Sequence, residues 1–249
     1  PLTEPEYKRD RFLAQENLLD VLRRAGFDVE WHDNNTGDQK IATRTGWQKV
    51  DPMLMPEACT GECTDEIFLP LIADRASRIT RNTVLVLHMI GSHGPAYHLR
   101  YPPARARFTP DCRSVQFSEC SPEEIVNAYD NSILQTDHVL ARSIETLDAA
   151  DRVLPALIYL SDHGESLGED GLYLHAAPKF MAPEVQTKVP MLIWMGGSYA
   201  TALDVTPDCL RRASDAPIRH DHLFHTVLGL LDVTTSLREP ALDLAGSCR

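Results

Sequence analysis

The chain has 249 residues, of which 36 are acidic and 24 are Lys or Arg, and its formal net charge is −12. This acidic balance disfavours a nucleic-acid partner, because nucleic-acid binding requires a basic surface that displaces counterions from the phosphates. The hydrophobic content of 43% is ordinary for a globular core, and no segment reaches the roughly 20 consecutive apolar residues that span a bilayer.

Helical and strand patterns alternate along the chain. Apolar residues at helical spacing, with their flanking caps, predict helices over 10–25, 65–77, 121–150 and 220–231. Short apolar runs predict strands over 27–31, 83–90, 153–160 and 188–195. This alternation predicts an α/β fold, with a mainly parallel sheet and helices on both faces, in a single domain over 1–249. The helix over 121–150 should bury Ile125, Tyr129, Ile133, Val139, Leu140, Ile144 and Leu147.

A carboxylate and an imidazole stand side by side directly after the strand predicted over 153–160. Asp162 and His163 would lie at the carboxyl end of that strand, where open α/β sheets bind their ligands. A carboxylate oxygen beside an imidazole nitrogen suits Zn²⁺ or a similar divalent ion. Asp-His-Gly is also typical of a turn after a strand. The pair alone leaves both interpretations open.

Two further histidines favour a functional interpretation. His93 follows the strand predicted over 83–90, and His175 lies in the loop after the Asp-His motif. Any one of these histidines alone is better explained as a surface or hydrogen-bonded core residue, but His93, His163 and His175 together indicate a site. Glu165 and Glu169 are either partners of a ligand imidazole or acids at the start of a helix.

These motifs resemble a known family. Ser92-His93-Gly94-Pro95-Ala96-Tyr97, then Asn127-Ala128-Tyr129-Asp130-Asn131, then Ser161-Asp162-His163-Gly164-Glu165-Ser166-Leu167-Gly168-Glu169, are similar to segments of the lipid A phosphoethanolamine transferases. That family includes the mobile colistin-resistance enzymes and belongs to the alkaline phosphatase and sulfatase superfamily. The resemblance covers nearly the whole chain, and several long motifs in the same order make it specific.

The resemblance implies the periplasmic catalytic domain of an inner-membrane protein. Such an enzyme takes phosphoethanolamine from phosphatidylethanolamine and places it on lipid A, and in this family a zinc ion activates a threonine that becomes phosphorylated. The implied partners are therefore phosphatidylethanolamine, lipid A and a membrane reached through an anchor outside this chain. We expect a monomer with no nucleic-acid partner.

The resemblance also assigns roles to individual residues. Asp162 and His163 match two zinc ligands, and His93 and His175 match histidines that bind the phosphoryl group or an additional zinc. Asn35 matches an asparagine of the phosphoethanolamine pocket. The pocket lysine expected four residues later is replaced by Gln39, and the neighbouring Lys40 is the candidate to contact a phosphate.

The family's threonine nucleophile and its glutamate ligand have no counterpart in this chain. We therefore expect these residues to be an amino-terminally incomplete catalytic domain, with weak or no metal binding and no turnover by this chain alone. Two other functions remain open, a sulfatase or phosphodiesterase of the same superfamily and a non-catalytic domain. The missing nucleophile would distinguish the hydrolase from the transferase, because threonine favours transfer and a modified cysteine or serine favours cleavage of a sulfate ester.

Six cysteines form an even set with short spacings. Cys59 with Cys63, and Cys112 with Cys120, could close small disulfide loops, which persist in oxidising compartments such as the periplasm. Elimination then leaves Cys209 to pair with Cys248. For Cys59 and Cys63, the interpretation that competes with a disulfide is a zinc clip. Three arginines after the His93 loop either form a local anionic-lipid patch or belong to an ordinary solvated loop: Arg100, Arg105 and Arg107.

Overall fold

The computed structural model describes residues 2–175 and 181–248. The helices are α1 Arg9–Ala14, α2 Leu18–Arg24, α3 Phe68–Arg78, α4 Pro122–Asp148, α5 Glu184–Thr187, α6 Gly197–Ala202, α7 Pro207–Ala213 and α8 Asp221–Leu230. The strands are β1 Asp28–Asp33, β2 Gln48–Lys49, β3 Cys59–Thr60, β4 Glu62–Cys63, β5 Thr83–His88, β6 Ala156–Leu160, β7 Ser166–Leu167, β8 Tyr173–Leu174 and β9 Met191–Met195. Two compact units are present, one comprising Pro1–Lys49, Arg78–His88 and Met195–Arg249, the other Val50–Ser77 and Met89–Trp194. The expectation of a single domain stays a prediction.

The first unit contains a parallel sheet with the strand order β2-β1-β5. Its core joins Val21 and Leu22 of α2 to Leu228 of α8, and Val29 of β1 and Val84 of β5 pack against this cluster. Val29 and Trp31, which are two residues apart on β1, therefore share the face that α2 covers, because side chains alternate along a strand. The predicted α/β fold with a parallel sheet is confirmed.

The prediction of a single helix over 10–25 is wrong, because two helices occupy that stretch. The Asn17 side chain accepts hydrogen bonds from the backbone N–H groups of Leu19 and Asp20, and the Asp20 carboxylate accepts one from the Asn17 N–H. This capping box begins a new helix. Asn17 has extended backbone angles, so the helical path is interrupted there.

The long helix α4 begins as its sequence predicts. Ser121 and Glu124 form a capping box, and Pro122 occupies the first turn, where its missing N–H costs nothing. Burial of Ile133 was expected, but this side chain is 44% exposed. The buried stripe of α4 passes instead through Ile125, Ala128, Ser132, Gln135, Val139 and Ser143. Ile133 is one residue beyond that stripe, about 100° around the helix.

The second unit contains the sheet β6-β9 and two antiparallel hairpins, β3 with β4 and β7 with β8. All three expected disulfides are present, namely Cys59–Cys63, Cys112–Cys120 and Cys209–Cys248. The zinc clip at Cys59 and Cys63 is thereby excluded. Within the described ranges, no helix has the length and apolar character needed to cross a membrane.

Candidate metal site

The Asp-His motif leaves β6 along a path that only glycine permits. A Cβ at Gly164 would lie 2.0 Å from the carbonyl oxygen of Val185, so the chain passes directly against that backbone. The Gly164 N–H donates to the carbonyl of Gln186 at 2.9 Å, and the Ser161 hydroxyl donates to the carbonyl of His163 at 2.7 Å. These contacts fix the backbone at His163 and Gly164.

Three histidines predicted from the sequence lie together in the second unit. The ring centroids of His163 and His175 are 4.0 Å apart, and those of His93 and His175 are 5.3 Å apart. The Nδ1 atoms of His93 and His163 contact the carbonyl oxygens of Gly94 and Gly164 at 2.8 and 3.0 Å. Because a carbonyl oxygen can only accept, each Nδ1 carries the hydrogen, which leaves the Nε2 lone pair available for a metal or a proton.

Glu165 completes this cluster with a buried carboxylate. Its Oε1 accepts from His175 Nδ1 at 3.0 Å and from the Gly94 N–H at 3.4 Å, and its Oε2 accepts from the Tyr97 hydroxyl at 3.3 Å. Only 6% of the residue is exposed. In this arrangement the carboxylate orients the His175 ring. To hold one metal ion together with Glu165, His175 would give up the Nδ1 proton and bind through Nδ1.

Tyr97 holds that carboxylate as a fully protonated donor. Burial, together with the negative charge of Glu165, raises the pKa of the Tyr97 hydroxyl far above its ordinary value. The phenol ring is 1% exposed, stacked on Phe117 and in edge contact with Tyr129. Rigid packing and a retained proton therefore fix the Tyr97 hydroxyl beside Glu165.

His163, Glu165 and His175 form the one group in the described chain whose ligand atoms could hold a metal ion, with all three atoms within 4.8 Å of one another. Two imidazoles and a carboxylate are a common catalytic zinc set, which leaves a fourth position open. Tetrahedral zinc needs ligand atoms about 3.3 Å apart, so a small inward movement of these side chains would suffice. The residues present fit a zinc ion.

Asp162 lies outside that group. Its side chain is 85% exposed, its Oδ1 accepts from the His163 N–H at 3.0 Å, and its Oδ2 lies 3.7 Å from His163 Nε2. The role of Asp162 as a metal ligand stays a prediction. Glu165 was weighed from the sequence only as a ring partner or a helix-start acid, and in the structure no helix begins there. The sequence feature that could have indicated Glu165 as a ligand is its spacing of two from His163, because alternate residues of an extended segment lie on one side.

Asn35 and Lys40 line one cleft, of about 380 Å³, in the first unit. The loop between them is held by the buried Asp38 carboxylate, which accepts from the Lys40 N–H at 3.2 Å and from the Thr43 hydroxyl at 3.0 Å. Gln39 and Lys40 have φ angles of 47° and 69°, a left-handed conformation that is uncommon without glycine and is often found at functional sites.

Two of the three arginines after His93, Arg100 and Arg105, are engaged within the second unit. Arg100 is buried, pairs with Glu62 and donates from Nε to the His93 carbonyl at 2.9 Å, while Arg105 pairs with Glu66 at 2.6 Å. Arg100 therefore supports the His93 loop, and neither guanidinium is free for a lipid phosphate.

Comparison with known proteins identifies the family. The model of the Sulfatase family matches residues 2–233. Phosphoethanolamine transferase EptA of Salmonella typhimurium is 42% identical over 250 residues, which cover 98% of this chain and 46% of that protein. Phosphatidylethanolamine transferase Mcr-1 of Escherichia coli is 36% identical, over 92% of this chain and 42% of its own length. The soluble domain of lipooligosaccharide phosphoethanolamine transferase A from Neisseria meningitidis has a TM-score of 0.95 at 36% identity, covering all (100%) of this chain and 75% of that domain.

The chain belongs to the lipid A phosphoethanolamine transferase family.

The expected sulfatase-like fold is thereby confirmed. The chain spans less than half the length of the curated relatives, 46% and 42% in the two cases above. A C-terminal periplasmic domain of EcEptC from Escherichia coli has been solved in complex with Zn, and its TM-score of 0.77 at 20% identity shows a shared fold.

Proposed function

We propose that the whole protein transfers phosphoethanolamine from phosphatidylethanolamine to lipid A in the periplasm. Relatives bearing phosphoethanolamine and phosphatidylethanolamine transferase names support this reaction. Within the chain, the observation that carries the proposal is the cluster of three imidazoles with available Nε2 atoms beside the buried Glu165. Such a cluster suits phosphoryl transfer, in which catalysis consists mainly of positioning and charge stabilisation.

Zinc is the proposed metal, held by His163, Glu165 and His175. The expectation of weak metal binding rested on Asp162 and His163 alone, whose further ligands the family places outside these residues. The three-residue group needs no such ligands, so we expect this chain itself to bind zinc. Asp162 is left as a proposed ligand of a metal shared with the family's glutamate and threonine.

A bound zinc ion would lower the pKa of an attacking hydroxyl and offset negative charge on the phosphoryl oxygens. His93 Nε2 takes up a proton and either donates it to the leaving diacylglycerol oxygen or hydrogen-bonds the transferred group. His175, oriented by Glu165, would serve the same step only where it is not a zinc ligand. Asn35 and Lys40 bind the phosphoethanolamine group, and the nucleophile is the family's threonine. Absence of turnover by this chain alone stays a prediction.

Zinc titration of the chain tests the proposal. After dialysis against a chelator, the wild-type chain is expected to bind one equivalent of zinc in competition with a chromogenic chelator. Glu165→Gln and His175→Ala should each weaken binding by at least about 10- to 100-fold, since that is the usual cost of losing even the carboxylate partner of a ligand. His222→Ala removes a half-buried histidine of the first unit, outside the proposed metal group, and serves as the control.

Equal zinc affinity in the wild type, Glu165→Gln and His175→Ala would refute the metal site. The reaction is tested separately, by restoring the full-length protein in cells and measuring phosphoethanolamine on lipid A by mass spectrometry. Loss of the modified lipid A in His93→Ala is expected. Unchanged modification would exclude His93 from catalysis.

A further inference from the structure

The cleft that contains Asn35 and Lys40 carries more charge and aromatic surface than these two residues explain. It lies where the carboxyl ends of β1 and β2 meet, and Asp33 of β1 is the register partner of Lys49 of β2. Neighbouring strands are about 4.8 Å apart, so groups at such paired positions act on the same ligand. The lining residues are Arg9, Asp33, Asn35, Thr36, Gly37, Asp38, Gln39, Lys40, Trp47 and Lys49.

The cations of this cleft are available, whereas its carboxylates are engaged. Arg9, Lys40 and Lys49 form no ion pair among residues 2–175 and 181–248, although acids outnumber bases 36 to 24 in the chain. Asp33 is 1% exposed. Its carboxylate accepts hydrogen bonds from His88 Nδ1 at 2.8 Å and from the Gly37 N–H at 3.1 Å. A cluster of unpaired cations in an acidic protein favours binding of a small anion over a general attraction to anionic surfaces.

Trp47 adds an aromatic wall to the same cleft. A Cβ at Gly37 would lie 3.6 Å from the indole ring, so the ring packs against the backbone of the loop that carries Asn35 and Lys40. Trp47 is nevertheless 46% exposed. A partly exposed indole in a cleft attracts an ammonium group through its ring face, and the negative charges of Asp33 and Asp38 add to that attraction.

We propose that Trp47 and Lys49 make this cleft selective for a zwitterionic phosphoethanolamine group, with the phosphate on Lys49 and Lys40 and the ammonium on the Trp47 ring. The proposal rests on the proposed function, which supplies the phosphoethanolamine. It assigns Lys49 the charge-assisted phosphate contact that Gln39 cannot make, since an amide carries no charge. The sequence alone does not indicate that Lys49 takes this role, because Lys49 is ten residues from Gln39. It reaches the cleft only through the pairing of β2 with β1.

Calorimetric titration of the metal-free chain tests the cleft without any turnover. The probes are glycerophosphoethanolamine, glycerophosphocholine, inorganic phosphate and ethanolamine. We expect glycerophosphoethanolamine to bind more tightly than inorganic phosphate or ethanolamine, since each of these carries only one of the two charges. Glycerophosphocholine should bind comparably, since a quaternary ammonium also packs on an indole ring. Lys49→Gln should weaken glycerophosphoethanolamine and phosphate alike by about tenfold. Trp47→Leu, which keeps an apolar contact with Gly37, should weaken glycerophosphoethanolamine by about three- to tenfold and leave phosphate unchanged.

Matched controls separate these effects from misfolding. Lys188→Gln removes an exposed lysine paired with Glu184, and Trp194→Phe changes a tryptophan outside the cleft. Both controls should bind glycerophosphoethanolamine like the wild type, and all variants should keep the wild-type thermal midpoint. A Trp47→Phe variant keeps a ring face and should regain most of the affinity that Trp47→Leu loses.

Two results would overturn the proposal. The first is equal affinity for glycerophosphoethanolamine and inorganic phosphate that neither Trp47→Leu nor Lys49→Gln changes. The second is absence of binding at millimolar probe. Co-sedimentation with vesicles that contain phosphatidylethanolamine identifies the lipid headgroup as the source, whereas binding of the free phosphodiester alone identifies a soluble one. The zinc titration is independent, so loss of the metal site and loss of cleft selectivity are distinguishable.

Discussion

At the residue scale, the buried Glu165 carboxylate is the group on which the histidine cluster depends. It receives the His175 imidazole on one oxygen and the Tyr97 hydroxyl on the other. The three histidines were predictable, because His93 and His163 follow apolar runs of strand length and His175 lies in the loop after the Asp-His motif. Burial of Glu165 was not predictable, since it follows from Gly94 and Tyr97, which lie about 70 residues away in the chain.

Tyr97→Phe is expected to weaken zinc binding about tenfold without unfolding the chain. The phenyl ring can keep its contacts with Phe117 and Tyr129, whereas Glu165 loses the donor that fixes its orientation. Chelator competition measures the affinity, and the thermal midpoint reports the fold. Tyr101→Phe, at a second buried tyrosine that donates to Asp111, is the control. Equal zinc affinity in Tyr97→Phe and the wild type would show that Tyr97 has only a packing role.

At the element scale, helix boundaries follow caps more closely than apolar spacing. The start of α4 was predictable because Ser121, Pro122 and Glu124 are local signals. The break between α1 and α2 was missed because apolar periodicity continues through Asn17, although Asn17 and Asp20 carry the same signature. The position of Lys49 could not be predicted, because β2 has only two residues and so short a strand shows no periodicity in the sequence.

Ser121→Ala is expected to lower the free energy of unfolding by about 1 kcal/mol, the usual cost of losing an N-cap. The Ser121 hydroxyl accepts from the Glu124 N–H at 3.2 Å, and that N–H would then depend on water. Urea unfolding followed by circular dichroism measures the change. Ser118→Ala, at an exposed serine just before this helix, should be neutral. A loss equal to that of the control would mean that the capping box is not formed in solution.

At the scale of the whole molecule, the three disulfides constrain chain loops of very different length. Cys209 and Cys248 are 39 residues apart, whereas Cys59 and Cys63 are 4 apart. A longer loop loses more freedom in the unfolded chain when it is closed. The local pairs were predictable from spacing alone, and the long one followed only because two cysteines remained.

Replacing both Cys209 and Cys248 by serine should therefore destabilise the protein more than the same change at Cys59 and Cys63. Loop entropy gives about 4 kcal/mol for the first pair and about 2 kcal/mol for the second. Thermal unfolding of the two double variants, compared with the wild type under oxidising conditions, measures the difference. The reverse order of stabilities would show that strain or residual structure outweighs loop entropy.

The division of the first unit into three separate stretches has a consequence for biosynthesis. Its core cannot close around Val21 and Leu22 until Leu228 is available, whereas every residue of the second unit precedes Met195. A chain that emerges amino end first, from a ribosome or a translocon, therefore holds α2 and β1 with their apolar faces uncovered while the second unit completes its own core. During that interval the nascent chain is a natural client for a holding chaperone, and the Cys209–Cys248 pair is the last of the three to become available to an oxidase.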